Sequence, residues 1–124
     1  MLNNVKSFIL VGIIMAFLDY IYLTSISDFF KKSILNIQKS KLNFRLVPAI
    51  LCYVFLIFSL QYFVISKKGN LIDAFILGIC IYAVFELTNY ATIDKWPLRL
   101  VIIDSLWGGI LFSLTSFIYL KFLK

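Results

Sequence analysis

"AVFELTNYATIDKWPLRLVIIDSLWGG" (residues 83–109) joins two apolar runs through the short polar turn "DKWP" (94–97). Each run holds one acid, Glu86 before the turn and Asp104 after it. Pro97 suits the first turn of a helix, where its missing N–H costs little. A connection this short makes its two helices antiparallel neighbours. The stretch therefore predicts a helical hairpin that carries acids where acids are expensive.

Outward from the hairpin, the rest of the chain is equally greasy. Of 124 residues, 62% are hydrophobic and 18% aromatic, with a mean hydropathy of +0.98. Soluble domains are about 45–50% apolar, so the excess places the chain in the membrane class. A helix needs about 20 mostly apolar residues to cross a hydrocarbon core of about 30 Å. Four stretches qualify, roughly 8–27, 46–65, 71–93 and 98–120. A membrane barrel would alternate over segments of about 10 residues, whereas these runs are continuous and too few to close one. The expected fold is all-α: one polytopic membrane domain over residues 1–124, an antiparallel four-transmembrane-helix bundle, integral to what is expected to be the cell membrane. The first run superficially resembles a secretory signal, with Lys6 before it and "SIS" (25–27) near its end. Asp19 interrupts the region that a signal keeps uncharged, so the run reads as a retained span.

Several functional classes drop out. Cys52 and Cys80 both fall within spans, which speaks against a disulfide framework or a zinc site. The chain has no histidine, so histidine-ligated haem and His-based triads are excluded. No phosphate-binding glycine loop is present, and no metal or cofactor is expected. The net charge of +6 does not point to nucleic acid. The basic residues sit at span ends and in loops, where they meet lipid headgroups.

Helix 1 is expected to begin after Lys6 and end near Asp28, followed by a basic interfacial loop over 28–45, which reads equally as partly helical along the interface or as a solvated loop that snorkels its lysines. Pro48 lies in the first turn of helix 2, and "SKKGN" (66–70) is a tight connection. One membrane side then carries Lys6, Lys67, Lys68, Lys121 and Lys124. The other carries Lys31, Lys32, Lys39, Lys41, Arg45, Lys95 and Arg99, a small excess that favours this side as cytoplasmic. A faint internal echo aligns "AFLDYIYLTSISD" (16–28) with "AVFELTNYATID" (83–94), pairing Asp19 with Glu86. Chance similarity between apolar helices explains it as simply as a repeat does.

Asp19, Glu86 and Asp104 are the acids well inside the spans. At about 1.5 Å per residue, each lies about 10–13 Å from the end of its expected helix. Antiparallel threading puts those three ends on one membrane side, so the carboxyls share a layer. Tyr82, Glu86 and Asn89 follow i, i+4, i+7 spacing on one stripe. On helix 1, Gly12, Ala16 and Asp19 share a face beside Tyr22; on helix 4, Asp104, Trp107 and Gly108 group together. Gly12, Ala16, Gly108 and Gly109 let helix backbones approach closely. Cys52 and Ser59 form a milder polar wall on helix 2. No cation shares the layer; Arg99 is nearest, and it would reach Asp19 or Glu86 across the bundle. Trp96 and Tyr90 read as interfacial belt anchors. An ionised acid in mid-bilayer costs at least about 2.5–3.5 kcal/mol, and such groups usually mark ion pathways or catalytic sites. The plainer alternative is polar glue between helices, which averages only about 0.6 kcal/mol per bond.

The stretch 85–109, with "FLDYIYL" (17–23), resembles the small four-helix membrane proteins of domain-of-unknown-function family 2177. The specific residues are Leu87, Thr88, Asn89, Ala91, Thr92, Trp96, Pro97, Asp104, Trp107 and Gly108. Glu86 stands where the family pattern has aspartate, which keeps the carboxyl and lengthens its reach. The resemblance implies the fold, supports the site and implies no activity.

The leading expectation is a small proton-coupled transporter or carrier of a cation, with Asp19, Glu86, Asp104, Asn89, Tyr22, Tyr82, Trp107 and Arg99 around the exchange site. Its partners are the lipid bilayer and a small cation or apolar small molecule. A chain this small is expected to form a homodimer that encloses a path. One alternative is a membrane-embedded enzyme doing acid/base chemistry on a lipid or isoprenoid. Another is a non-catalytic assembly subunit whose acids only lock the bundle.

Overall fold

In the computed structural model, the backbone of residues 2–123 and the side chains of residues 4–123 are described. Four helices follow in order: α1 (Leu2–Gln38), α2 (Leu46–Leu60), α3 (Leu71–Thr92) and α4 (Leu98–Ile118). α2 and α4 each loosen into a π-helical turn, Gln61–Ile65 and Tyr119–Leu123 respectively. All four helices are long and apolar enough to cross a membrane. Their outer faces are greasy: Phe17 is 64% exposed, Phe55 67% and Val84 67%, while Asp19 is 6% exposed and Glu86 2%. Apolar groups outside and acids inside is the arrangement a hydrocarbon solvent selects. The chain is an integral, multi-pass membrane protein with an all-helical bundle fold.

α1 departs from expectation. It does not end near Asp28 but runs unbroken to Gln38, so most of the expected basic loop is helix. Its 37 residues span about 55 Å, against a hydrocarbon core of about 30 Å. The reason lies in the spacing of Ile26, Phe29, Phe30, Ile34 and Ile37, which forms one apolar stripe. That stripe packs on Trp96, Leu100 and Val101 around the α3–α4 turn. Lys31 and Lys32 face out from the opposite side. The helix stops at Lys39, which adopts the left-handed conformation (φ 61°) while its N–H donates to the Leu35 carbonyl at 2.9 Å. Lys95 in the α3–α4 turn is left-handed too (φ 66°). The side-chain hydrogen bond to Lys95, and then repulsion between the two ammoniums, hold Lys39 below the ordinary lysine range.

The helices pack in the order α2, α1, α4, α3, and α2 and α3 scarcely meet. The tightest seam is α3–α4. A Cβ at Gly78 would lie 2.1 Å from the Gly108 carbonyl oxygen, and one at Gly109 would lie 2.7 Å from Ile79 Cγ1. The two backbones therefore touch, a contact only glycine allows. α3 opens on a capping box: Asp73 N–H donates to Asn70 Oδ1 at 2.8 Å, and Asn70 N–H donates to Asp73 Oδ2 at 3.2 Å. Ser113 Oγ on α4 donates to the Leu71 carbonyl at 2.8 Å, pinning the far end of the hairpin.

α1 leans on α2 more loosely. Gly12 meets Ile57 there, but Ala16 is exposed and does not belong to the packed face. The buried stripe of α1 instead follows Ser7, Val11, Met15 and Asp19 at i, i+4 spacing. α2 buries only Leu56 and Leu60, both in its second half. Together with Val64 and Ile65 beyond them, these join Val11, Met15, Leu111 and Phe112 in the main core. The first half of α2 contributes no buried residue.

Candidate functional site

The helix order determines what the acids meet. Asp19 on α1 faces both neighbours of that helix. Trp107 on α4 donates its indole N–H to Asp19 Oδ1 at 2.9 Å, and the Tyr53 hydroxyl on α2 donates to Oδ2. Tyr22, one turn further along α1, stacks flat on Trp107 with ring centroids 4.6 Å apart and planes 7° from parallel. Its hydroxyl donates to Asp104 Oδ1 at 3.0 Å. One aromatic pair thus ties two carboxyls together from α1 and α4.

Glu86 on α3 is held from the turn. Trp96 folds back beneath the helix end, and its indole N–H donates to Glu86 Oε1 at 3.0 Å. The Glu86 and Asp104 carboxyls are within hydrogen-bonding reach of each other across the α3–α4 seam. Facing carboxyls can share a single proton, which is the chemistry this placement offers.

All three acids line one cavity of about 380 Å³. α1 contributes Asp19, Tyr22, Leu23, Ile26 and Phe30, while α2 contributes Cys52, Tyr53 and Leu56. α3 adds Ile81, Tyr82, Phe85 and Glu86, and the far wall is Trp96, Leu100 and Asp104. The lining is an apolar sleeve with acids, tyrosine hydroxyls and a thiol set into it, and it contains no lysine or arginine. Among the described residues, no group of three or more acids or cysteines is disposed to hold a metal ion. The acids are instead arranged as Asp19 on its own donors and Glu86 with Asp104.

The expected site residues divide accordingly. Asp19, Tyr22, Tyr82, Glu86 and Asp104 line the cavity, and Trp107 supports it from behind Asp19. Asn89 does not line it, although its spacing from Glu86 is that of one helix face. Arg99 is exposed, with its guanidinium over the Phe29 ring at 5.4 Å. It forms no ion pair with an acid among the described residues, since its place beside α1 turns it outward. Ser59 donates to the Phe55 carbonyl of its own helix at 2.8 Å and takes no part.

Two residues enter that sequence spacing did not select. Trp96 is 8% exposed and is a donor to Glu86, not a belt anchor; Tyr90, 47% exposed, stays outside. Tyr53 holds Asp19. Tyr53, Leu56 and Leu60 follow i, i+3, i+7 spacing, and that stripe was the legible sign of the inward face of α2. For Trp96 the sequence signal was weaker: an indole in a turn too tight to let it reach the lipid.

A family model described as "Predicted membrane protein (DUF2177)" matches residues 4–120, nearly the whole chain. No curated protein and no solved structure matches.

Proposed function

We propose, for a chain that belongs to the DUF2177 family of predicted membrane proteins, that the cavity is the exchange site of a small proton-coupled carrier of organic cations. The observation that carries this reading is the lining itself, three intramembrane acids in an apolar sleeve that contains no basic residue. Such a lining attracts positive charge with nothing of its own to neutralise it. Tyr22, Tyr53 and Tyr82 add aromatic faces suited to an organic cation. The Glu86–Asp104 pair shares a proton when empty and gives it up when a cation takes its place, so cation entry and proton exit are linked. Asp19, held by Trp107 and Tyr53, supplies the fixed acceptor beside that pair.

The direct test is exchange in proteoliposomes. An imposed proton gradient should drive uptake of tetraphenylphosphonium, and the combined Asp19→Asn, Glu86→Gln, Asp104→Asn variant should abolish it. Uptake unaffected by removing all three carboxyls would overturn the proposal.

A second reading draws on the Glu86–Asp104 pair in particular. Two carboxyls sharing a proton against apolar walls can donate to, and take a proton back from, a lipid or isoprenoid double bond. A reproducible change in the lipid or terpenoid profile on expression, lost in Glu86→Gln, would favour this reading over transport.

A further inference from the structure

The cavity lies among all four helices, and its walls differ from side to side. Toward the near rim it ends against Ile26, Phe30, Trp96 and Leu100, which belong to the apolar cluster made by the extension of α1. Toward the far rim it ends at Leu56, which belongs to the main core with Met15, Leu60 and Phe112. The α1–α2, α1–α4 and α3–α4 seams are packed. The remaining seam is α2–α3. The two helices are tied by the turn at 66–70 and part beyond it, where the first half of α2 buries nothing. The lips of that seam are Cys52 and Tyr53 on one side and Ile81 and Phe85 on the other. Cys52 is exposed and Phe85 is 55% exposed, on a face that otherwise meets acyl chains.

Behind the lips stands Glu86, 2% exposed, with Trp96 as its one hydrogen-bond donor from the protein. Among the described residues, no N–H or O–H donates to its second oxygen. A deeply buried carboxyl with spare acceptor capacity, lining an apolar cavity, is matched by a partner that arrives with the ligand, a positive charge or an N–H donor.

We infer that the cavity is loaded sideways from the bilayer through the α2–α3 seam, and that its ligand is a single-chain amphiphile with a cationic or ammonium head. The head meets Asp19, Glu86 and Asp104, and the alkyl chain lies in the seam between Cys52 and Phe85. This rests on the cation-exchange reading of the site and adds the route and the chemical class. A free, water-borne cation would have to pass the apolar plug at the near rim. An alkyl chain gains about 0.8 kcal/mol for each buried CH₂, so the tail strengthens binding as well as directing entry.

The chain has two tryptophans, and both donate to the acids, so one can be used as a reporter. In Trp107→Phe, emission comes from Trp96 alone. In nanodiscs, lipids brominated along the acyl chain should quench Trp96 strongly and aqueous iodide should not. Dodecyltrimethylammonium should relieve the lipid quenching at a concentration at least tenfold below any effect of tetramethylammonium. Iodide quenching that tetramethylammonium relieves equally well would overturn lateral loading while leaving a cation site in place. Relief by neither cation, or relief unchanged in Asp19→Asn, Glu86→Gln and Asp104→Asn, would remove the cation site itself and the inference with it. A lip variant, Phe85→Ala, gives a further check that leaves the carboxyls intact: it should raise lipid quenching of Trp96, and unchanged quenching would contradict a portal at that seam.

Discussion

Glu86, at 2% exposure, depends on a single indole. Trp96→Phe keeps most of the packed ring and removes the N–H, so the expected loss is that of one hydrogen bond, about 0.5–1.5 kcal/mol. Reversible unfolding in mixed micelles would measure it. Tyr90→Phe, on an exposed ring, should stay within about 0.5 kcal/mol of the parent. At the rim, Lys39 gives a pH signature with a definite sign. Its folded value lies below that of the unfolded chain, so repulsion from Lys95 opposes folding while both are protonated. That penalty fades as pH rises through the lowered folded value and is gone above the unfolded lysine value, and Lys95→Ala should raise the Lys39 titration seen by NMR of labelled lysine. The acids themselves were legible in the sequence because charge inside an apolar run stands out. Their donors were not, because tryptophan and tyrosine near a helix end look the same whether they anchor to headgroups or turn inward.

At the scale of elements, the α3–α4 hairpin and the α1 extension contribute most to the site. Gly78→Ala would push a methyl into the Gly108 carbonyl, against backbone that cannot yield. Overpacking of this kind costs about 1–3 kcal/mol, and it should separate Glu86 from Asp104. Gly12→Ala meets only the tip of Ile57 at 3.0 Å, a flexible neighbour, and should be tolerated. The same micelle unfolding experiment distinguishes the two. Asn70→Ala removes the capping box from α3 at a cost of about 1 kcal/mol. Amide hydrogen exchange should show residues 29–37 protected as part of α1, and Ile34→Asp should remove that protection by opening the cluster around Trp96. The helix ends at 66–70 and 94–97 were readable because Gly69, Asn70 and Pro97 mark them. The end of α1 was not. Its lysines signal a loop, whereas its fate is decided by Ile34 and Ile37 finding Leu100 and Trp96, a tertiary contact that local composition does not contain.

For the whole molecule, membrane class and helix number follow from hydrophobic run length alone, which is why four spans could be counted before any packing was known. The shared depth of Asp19, Glu86 and Asp104 followed from antiparallel threading, even though α1 extends well past the end from which Asp19 was counted. Run length does not encode neighbour order. That α1 sits between α2 and α4, and that α2 and α3 stand apart, depends on Gly78 and Gly108 drawing one hairpin tight while α2 has no comparable seam. The cavity is the space that imbalance leaves, and its acids are what the proposed cation exchange rests on. The most direct measurement is therefore proton release on ligand binding. Adding tetraphenylphosphonium to the purified protein in weakly buffered detergent should release protons in proportion to cation bound, and the triple carboxyl variant should release none. Binding with no proton release, or equal release from the variant, would contradict an exchange site built from Asp19, Glu86 and Asp104.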